Sequence, residues 1–165
     1  MPEPSSRRPI MRTFTATTVA PAHPEAILDV LTDPDAALRW APVAFDVEGM
    51  SGPRLATGTR ARVSGRLAGR EVGFDLEVHQ ADEAGLALSA HGPVALDVAY
   101  ELRPTIRGSE VSASVAVVPK QGLRARLIAE ATAAVLAGGA LEIALGRIAR
   151  EAVAAATYAP LAAAA

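Results

Sequence analysis

The chain has 165 residues, a formal net charge of −2 and no cysteine, and half of its residues are hydrophobic. This length is enough for one domain with its own core, and a slightly acidic chain is a poor partner for nucleic acid. The lack of cysteine excludes disulfide bonds and thiolate metal sites. The sequence shows neither a secretory signal pattern nor an apolar run of membrane-spanning character, so we expect a cytoplasmic protein without stable membrane insertion.

The first part of the chain predicts one strand and two short helices. Residues 1–11 are polar and contain prolines, which is typical of a disordered lead-in. Residues 12–20, RTFTATTVA, are rich in threonine and predict a first strand. Pro24 and the Asp-Pro pair at 33–34 are helix start signals, and the second of the two helices should reach Trp40.

After Pro42 the hydrophobic pattern alternates with a period of two, which predicts six further strands. Each of these segments has one apolar and one polar face, as expected for an antiparallel sheet covered on one side. The predicted strands begin near Val43, Thr59, Glu71, Leu86, Val94 and Glu110.

The last quarter predicts one long helix, from Gly122 to Ala156, followed by a flexible tail at residues 158–165. The middle of this helix carries small side chains, which leaves room for a cavity against the sheet. We therefore expect a single α+β domain over residues 12–157. Its seven-stranded antiparallel sheet should wrap around the C-terminal helix, with the two short helices between the first and second strands.

This order of elements resembles the helix-grip superfamily of START lipid-transfer domains, pollen-allergen-like proteins and bacterial polyketide cyclases. The resemblance covers about residues 12–156 and is most typical in TTVAPAHPEAILDVLTDPDAALRWAP, with its proline-marked helix start, Asp-Pro break and Trp-Ala-Pro exit. It implies a helix-grip fold that encloses a hydrophobic small molecule. The superfamily includes both enzymes and carriers.

Aromatic side chains are the first candidates for contact with a ligand. Phe45, Phe74 and Tyr100 fall on the inward parity of their strands, and together with Trp40 they are four of the six aromatic residues in the chain. The two phenylalanines fit core packing equally well. Tyr100 differs because a buried hydroxyl needs a partner, which is either a ligand or a water molecule. From the part of the long helix with small side chains we add Ala134, Gly138 and Leu141 as ligand-binding candidates.

Glu142 is an unusual residue for its predicted position. On one continuous helix, Leu127, Gly138, Leu141 and Leu145 define an apolar stripe, and Glu142 lies about 40° from its centre. A carboxylate facing the cavity would have a raised pKa and could act as a general acid or base. The alternative is a small helix rotation that brings Glu142 to solvent or to an arginine.

The histidines give weaker signals. His91 shares a strand face with Ser89 and completes the catalytic candidates Glu142, Tyr100 and His91, although a solvent-exposed polar face is the simpler interpretation. Since no histidine has a closely spaced partner ligand, we expect neither a metal nor a cofactor.

Arg60, Arg62 and Arg66 share one face of a strand. They form either a solvated face opposite carboxylates or a basic lip that attracts an anionic partner. Leu136 and Ile143 lie off the apolar stripe of the long helix and raise the possibility of a homodimer.

Three functions fit these patterns. The first is binding of a hydrophobic small molecule, with cyclisation or dehydration of a bound polyketide or aromatic substrate as its enzymatic form. The second is a non-catalytic lipid or quinone carrier. The third is a structural protein whose cavity has collapsed.

Overall fold

The structure is a computed structural model that describes residues 10–67 and 69–163. Most of the lead-in expected at residues 1–11 therefore lies outside the described residues. Within these ranges no single helix is long and apolar enough to cross a membrane. One bent helix pair, Leu123–Ala137 with Ala140–Tyr158, has the necessary length and composition.

The first three elements begin and end close to where the sequence predicts. Strand β1 spans Arg12–Ala20, helix α1 spans Pro24–Thr32, and helix α2 spans Pro34–Trp40. Each helix has its proline at the first turn, where the missing N–H costs no hydrogen bond. The carboxylate of Asp33 accepts a hydrogen bond from the Asp35 amide at 3.0 Å and caps α2.

Six more strands follow: β2 (Phe45–Glu48), β3 (Arg60–Leu67), β4 (Arg70–Asp82), β5 (Gly85–His91), β6 (Val94–Thr105) and β7 (Gly108–Pro119). With β1 they form an antiparallel sheet of the order β1-β7-β6-β5-β4-β3-β2, which confirms the predicted seven-stranded architecture. The first and the last strand of the chain are therefore neighbours in the sheet.

The helical stretch at the end of the chain differs from the prediction of one continuous helix. Helix α3 spans Leu123–Ala137, helix α4 spans Ala140–Ala163, and their axes are bent by 56°. The break lies at Gly138 and Gly139, and Gly139 has φ +93°, a conformation that residues with a Cβ rarely adopt. Helix α4 is the long C-terminal helix of the fold. It continues through the first part of the region predicted to be a flexible tail.

The core lies between the concave face of the sheet, α1 and α4. Ile27 and Leu31 of α1 and Leu145 and Ile148 of α4 are among the largest fully buried side chains. Burial of each contributes roughly 1.5 to 3 kcal/mol from the hydrophobic effect alone. This packing fixes α4 against the sheet and leaves α3 to cover the remaining part of the concave face.

Candidate ligand cavity

A cavity of about 300 Å³ lies under α3, between the start of α4 and the inner side of β2, β3, β4, β6 and β7. Its walls are mostly aliphatic and aromatic. The sheet contributes Phe45, Val63, Phe74, Leu96, Val98 and Tyr100, and the helices contribute Trp40, Val135, Leu136 and Leu141. This volume is at the lower end of the range for small-molecule pockets, and the lining is typical of them.

Two aromatic rings form one corner of the cavity. The rings of Trp40 and Tyr100 meet edge to face, with centroids 6.2 Å apart and planes at 77°. The indole Nε1 of Trp40 donates a hydrogen bond to the carbonyl of Val30 at 3.2 Å. Because this bond ties the indole to α1, the corner is held in place without a ligand.

Tyr100 provides the unpaired polar group of the cavity. Its residue is only 7% exposed, and burial raises the pKa of its phenol to about 12. Its hydroxyl makes no hydrogen bond to the described side chains and backbone, and among the described residues no fully buried side-chain nitrogen or oxygen lacks a partner. Since Tyr100 lines the cavity and its phenol stays protonated, its hydroxyl is available as a neutral donor and acceptor for a ligand.

Two other polar residues line the cavity, and neither offers the same chemistry. The hydroxyl of Thr132 donates to the carbonyl of Ile128 at 2.8 Å, so its proton is already used. Arg66 is exposed at the rim, where the exposed side chains of Val43 and Val135 also mark the opening. Among the described lining residues, the side chains of the interior are therefore apolar apart from the hydroxyls of Tyr100 and Thr132, and that of Tyr100 has no hydrogen-bond partner.

Several residues chosen from the sequence as ligand-binding candidates lie in the lining: Trp40, Phe45, Phe74, Tyr100 and Leu141. Their contact with a ligand stays a prediction. Ala134 and Gly138 lie elsewhere, since both are exposed and neither lines the cavity. The physical reason is the helix break, which ends α3 at this point, so the phase predicted for one continuous helix does not apply.

The structure corrects the predicted position of Glu142. Its side chain is exposed and outside the cavity lining. The predicted stripe assumed one helix through Leu127, but Leu127 is exposed on α3 and the break resets the helical phase. Within α4, Leu141, Leu145 and Ile148 form the buried side, and Glu142 is turned about 100° from Leu141.

His91 also lies outside the cavity. It is exposed and pairs across the strands with Asp75, which alternates with the cavity-lining Phe74 and therefore points to the opposite face of the sheet. The hydroxyl of Ser89 lies 2.8 Å from Nε2 of His79. The described ranges contain no group of three or more histidines and carboxylates that could hold a metal.

Arginines on β3 form a solvated face with carboxylates of β4. Arg60 pairs with Glu77 at 3.4 Å and Arg62 with Asp75 at 3.0 Å, all with exposed side chains. Such surface pairs contribute little to stability. Arg66 is not part of these pairs and lies at the rim of the cavity.

Helical residues that were not predicted from the sequence close the cavity. Thr132, Val135 and Leu136 line it from α3, and Ala140 and Ala144 line it from α4. Leu136 was interpreted as a self-association residue, but it faces the cavity. The signal that would have found these residues is the Gly-Gly pair at 138–139, because two successive glycines favour a helix end.

Comparisons with known proteins agree with this architecture. The sequence matches the family described as polyketide cyclase / dehydrase and lipid transport over residues 11–153. The chain belongs to this family. No curated protein matches the sequence significantly.

Solved structures of similar fold include TTHA0849 from Thermus thermophilus, with a TM-score of 0.68 and 18% identity over 87% of this chain and 99% of that one. The Zhui aromatase/cyclase from Streptomyces sp. R1128 has a TM-score of 0.63 and 16% identity over 86% and 95%. Ara h 8.0201 has a TM-score of 0.56 and 14% identity over 84% and 98%. At these identities the similarity establishes the helix-grip fold. Together with the family match, the cavity supports a protein that binds hydrophobic small molecules.

Proposed function

We propose that this protein binds and carries one apolar ring-containing molecule with a hydrogen-bond acceptor, such as a quinone or an aromatic ketone. The observation that carries the proposal is the free hydroxyl of Tyr100 in an otherwise apolar cavity. Such a cavity rejects charged ligands, because a buried charge without a partner is costly. It favours a ligand whose carbonyl or hydroxyl meets the tyrosine.

The size of the cavity limits the ligand further. A cavity of about 150 Å³ holds one benzene molecule, and this cavity has about 300 Å³. A fused two-ring molecule therefore suits the space. The edge-to-face corner of Trp40 and Tyr100 adds aromatic surface to one wall, which favours a flat ring over a saturated chain.

The lining favours a carrier over an acid–base enzyme. Tyr100 is the one residue of the predicted catalytic set that lines the cavity, since Glu142 and His91 are exposed. A tyrosine with a pKa of about 12 stays protonated near neutral pH and so donates a hydrogen bond without removing a proton.

A matched pair of ligands tests the proposal. Wild-type protein should bind 1-tetralone roughly three- to tenfold more tightly than tetralin, because the two differ in the carbonyl that Tyr100 would contact. Tyr100→Phe should remove this preference and leave tetralin affinity nearly unchanged. Tyr158→Phe is the control, since Tyr158 is exposed far along α4. Isothermal titration calorimetry measures both affinities, and equal affinities in the wild type would contradict the proposal.

The second candidate is cofactor-independent cyclisation or dehydration of a polyketide-type substrate. It is favoured by the same neutral hydroxyl, because a donor placed at a substrate carbonyl stabilises charge that develops on its oxygen. The apolar walls would hold the chain in a folded conformation, which lowers the entropic part of the barrier.

Native mass spectrometry followed by organic extraction separates the two candidates. A quinone or lipid released only on denaturation favours the carrier, and a polyketide favours the enzyme. With an identified substrate, Tyr100→Phe should reduce turnover more than affinity in an enzyme and affect only affinity in a carrier.

A further inference from the structure

The first two turns of α3 expose two leucines to solvent, although the same turns bury Ile128 against the protein. Leu123 is 75% exposed and Leu127 is 58% exposed, whereas Ala125 and Ala129 are buried. Leucines four residues apart lie on the same helix face. In a helix that served only to cover the core, the leucines would face inward. The exposed face with Leu123 and Leu127 therefore indicates an interaction with a partner outside the described fold.

Basic residues flank these leucines on both sides. At about 100° per residue, Arg124 and Arg126 lie about 80° to either side of the leucine pair, and both are exposed. Lys120 precedes the helix and is exposed as well. We name Lys120, Leu123, Arg124, Arg126 and Leu127 the α3 docking surface. Glu130, an acidic residue near this face, is paired with Arg12 at 3.1 Å.

Further apolar residues lie at the same end of the fold. Ile10 and Met11 are exposed and precede Arg12, which pairs with Val117 near the end of β7 and so lies beside the start of α3. The cavity opening is also at this end, because Phe45 begins β2 and Arg66 is next to the last residue of β3.

We propose that the α3 docking surface attaches the protein reversibly to anionic lipid membranes. Arginines and lysine match anionic headgroups, and the two leucines reach the apolar layer beneath them. The charge argues against a second copy, because two such surfaces would repel each other. The two leucines also cover far less area than a stable dimer interface needs. Docking would bring the cavity opening to the membrane surface.

The proposal goes beyond ligand binding and is tested without a ligand, by sedimentation with vesicles. Wild-type protein should bind vesicles of phosphatidylcholine with phosphatidylglycerol, and bind pure phosphatidylcholine vesicles at least tenfold more weakly. Binding should weaken from low ionic strength to about 0.15 M salt. Arg124→Glu with Arg126→Glu, and separately Leu123→Ser with Leu127→Ser, should each reduce binding at least tenfold.

The opposite end of the sheet offers a matched control. Ile106 and Arg107 form the exposed β6–β7 turn there, so Ile106→Ser with Arg107→Glu changes the same residue types. These changes should leave vesicle binding unchanged. Circular dichroism should show that all variants remain folded, since every altered side chain is exposed.

Three results would overturn the proposal. One is the absence of binding to anionic vesicles, which would leave an acidic protein partner for this surface. Another is an equal loss of binding in the Ile106/Arg107 variant. The third is a solution dimer that the leucine substitutions dissociate. A cavity-filling variant such as Val98→Phe should still bind vesicles, so failure of docking and failure of ligand binding are distinguishable.

Discussion

Helices α3 and α4 are both rich in alanine and leucine, but they relate differently to the core. Helix α4 buries Leu145 and Ile148 and is tied to α2 by two contacts: Arg39 pairs with Glu151 at 3.0 Å, and Arg147 donates to the carbonyl of Ala41 at 3.1 Å. Helix α3 covers the cavity and exposes Leu123 and Leu127. Two helices of similar composition therefore have different roles: α4 stabilises the core, and α3 leaves space for a ligand beneath it.

The sharpest test of this comparison is one substitution made in each helix. Leu145→Ala should reduce the free energy of unfolding by about 3 to 5 kcal/mol, because it leaves a cavity in a packed core. Leu127→Ala should cost less than about 1 kcal/mol, because that side chain is already mostly in water. Urea denaturation measures both, and equal losses would show that α3 is part of the core.

The pH dependence of stability tests whether Tyr100 is buried in the wall of the cavity. Burial raises the pKa of Tyr100 to about 12 in the folded protein, against 10.0 for an ordinary tyrosine. Below pH 10 both states are protonated and the contribution of this residue to stability is complete. Above pH 10 the unfolded state ionises first, so stability should fall by about 1.4 kcal/mol per pH unit until about pH 12.

Tyr100→Phe should flatten that decline, and Tyr158→Phe should preserve it. Denaturation series at several alkaline pH values provide the measurement. If the free energy of unfolding of Tyr100→Phe falls with the same slope above pH 10, other ionisable groups cause the decline.

The glycine break between the helices should be necessary for their different placement. Gly139→Ala should destabilise the protein by about 1 to 3 kcal/mol, because alanine at φ +93° is strained. Gly146→Ala is the control within α4, where a Cβ meets nothing within 4 Å. That change should stabilise the protein by about 0.5 to 1 kcal/mol, since alanine favours the helix. Thermal unfolding measures both changes. Unchanged stability of Gly139→Ala would contradict the prediction that the break needs glycine.

Filling the cavity should change stability only slightly and should act mainly on ligand binding. Val98→Phe adds volume at a lining position of β6 and should change the free energy of unfolding by less than about 1.5 kcal/mol, because the space is already empty. The same variant should bind 1-tetralone at least tenfold more weakly. Unchanged affinity in calorimetry would place the ligand elsewhere.

Much of the fold could be predicted from local signals. Pro24, Pro34 and the capping Asp33 fixed the two short helices, and strict alternation identified the strands and the inward parity of Phe74 and Tyr100. These signals are carried by neighbouring residues. The antiparallel sheet follows from them because its faces must separate apolar from polar side chains.

The helical half of the site could not be predicted in the same way. The prediction assumed one helical phase through Gly138 and Gly139, but the helix breaks there. The positions predicted for Ala134 and Glu142 depended on that phase and were wrong. The angle between α3 and α4 depends on tertiary packing, and no local sequence pattern determines it. The exposed face of α3 was hidden for the same reason, since Leu127 had been assigned to the buried stripe.

The position of Trp40 also makes the protein its own optical sensor. It is the only tryptophan in the chain, it lines the cavity, and its indole nitrogen is held by Val30. All indole fluorescence therefore originates from one wall of the proposed site. A ligand that enters the cavity replaces solvent or empty space beside this ring and changes its emission. Occupancy can thus be followed in unlabelled protein, with the spectrum reporting the polarity of a single, defined location.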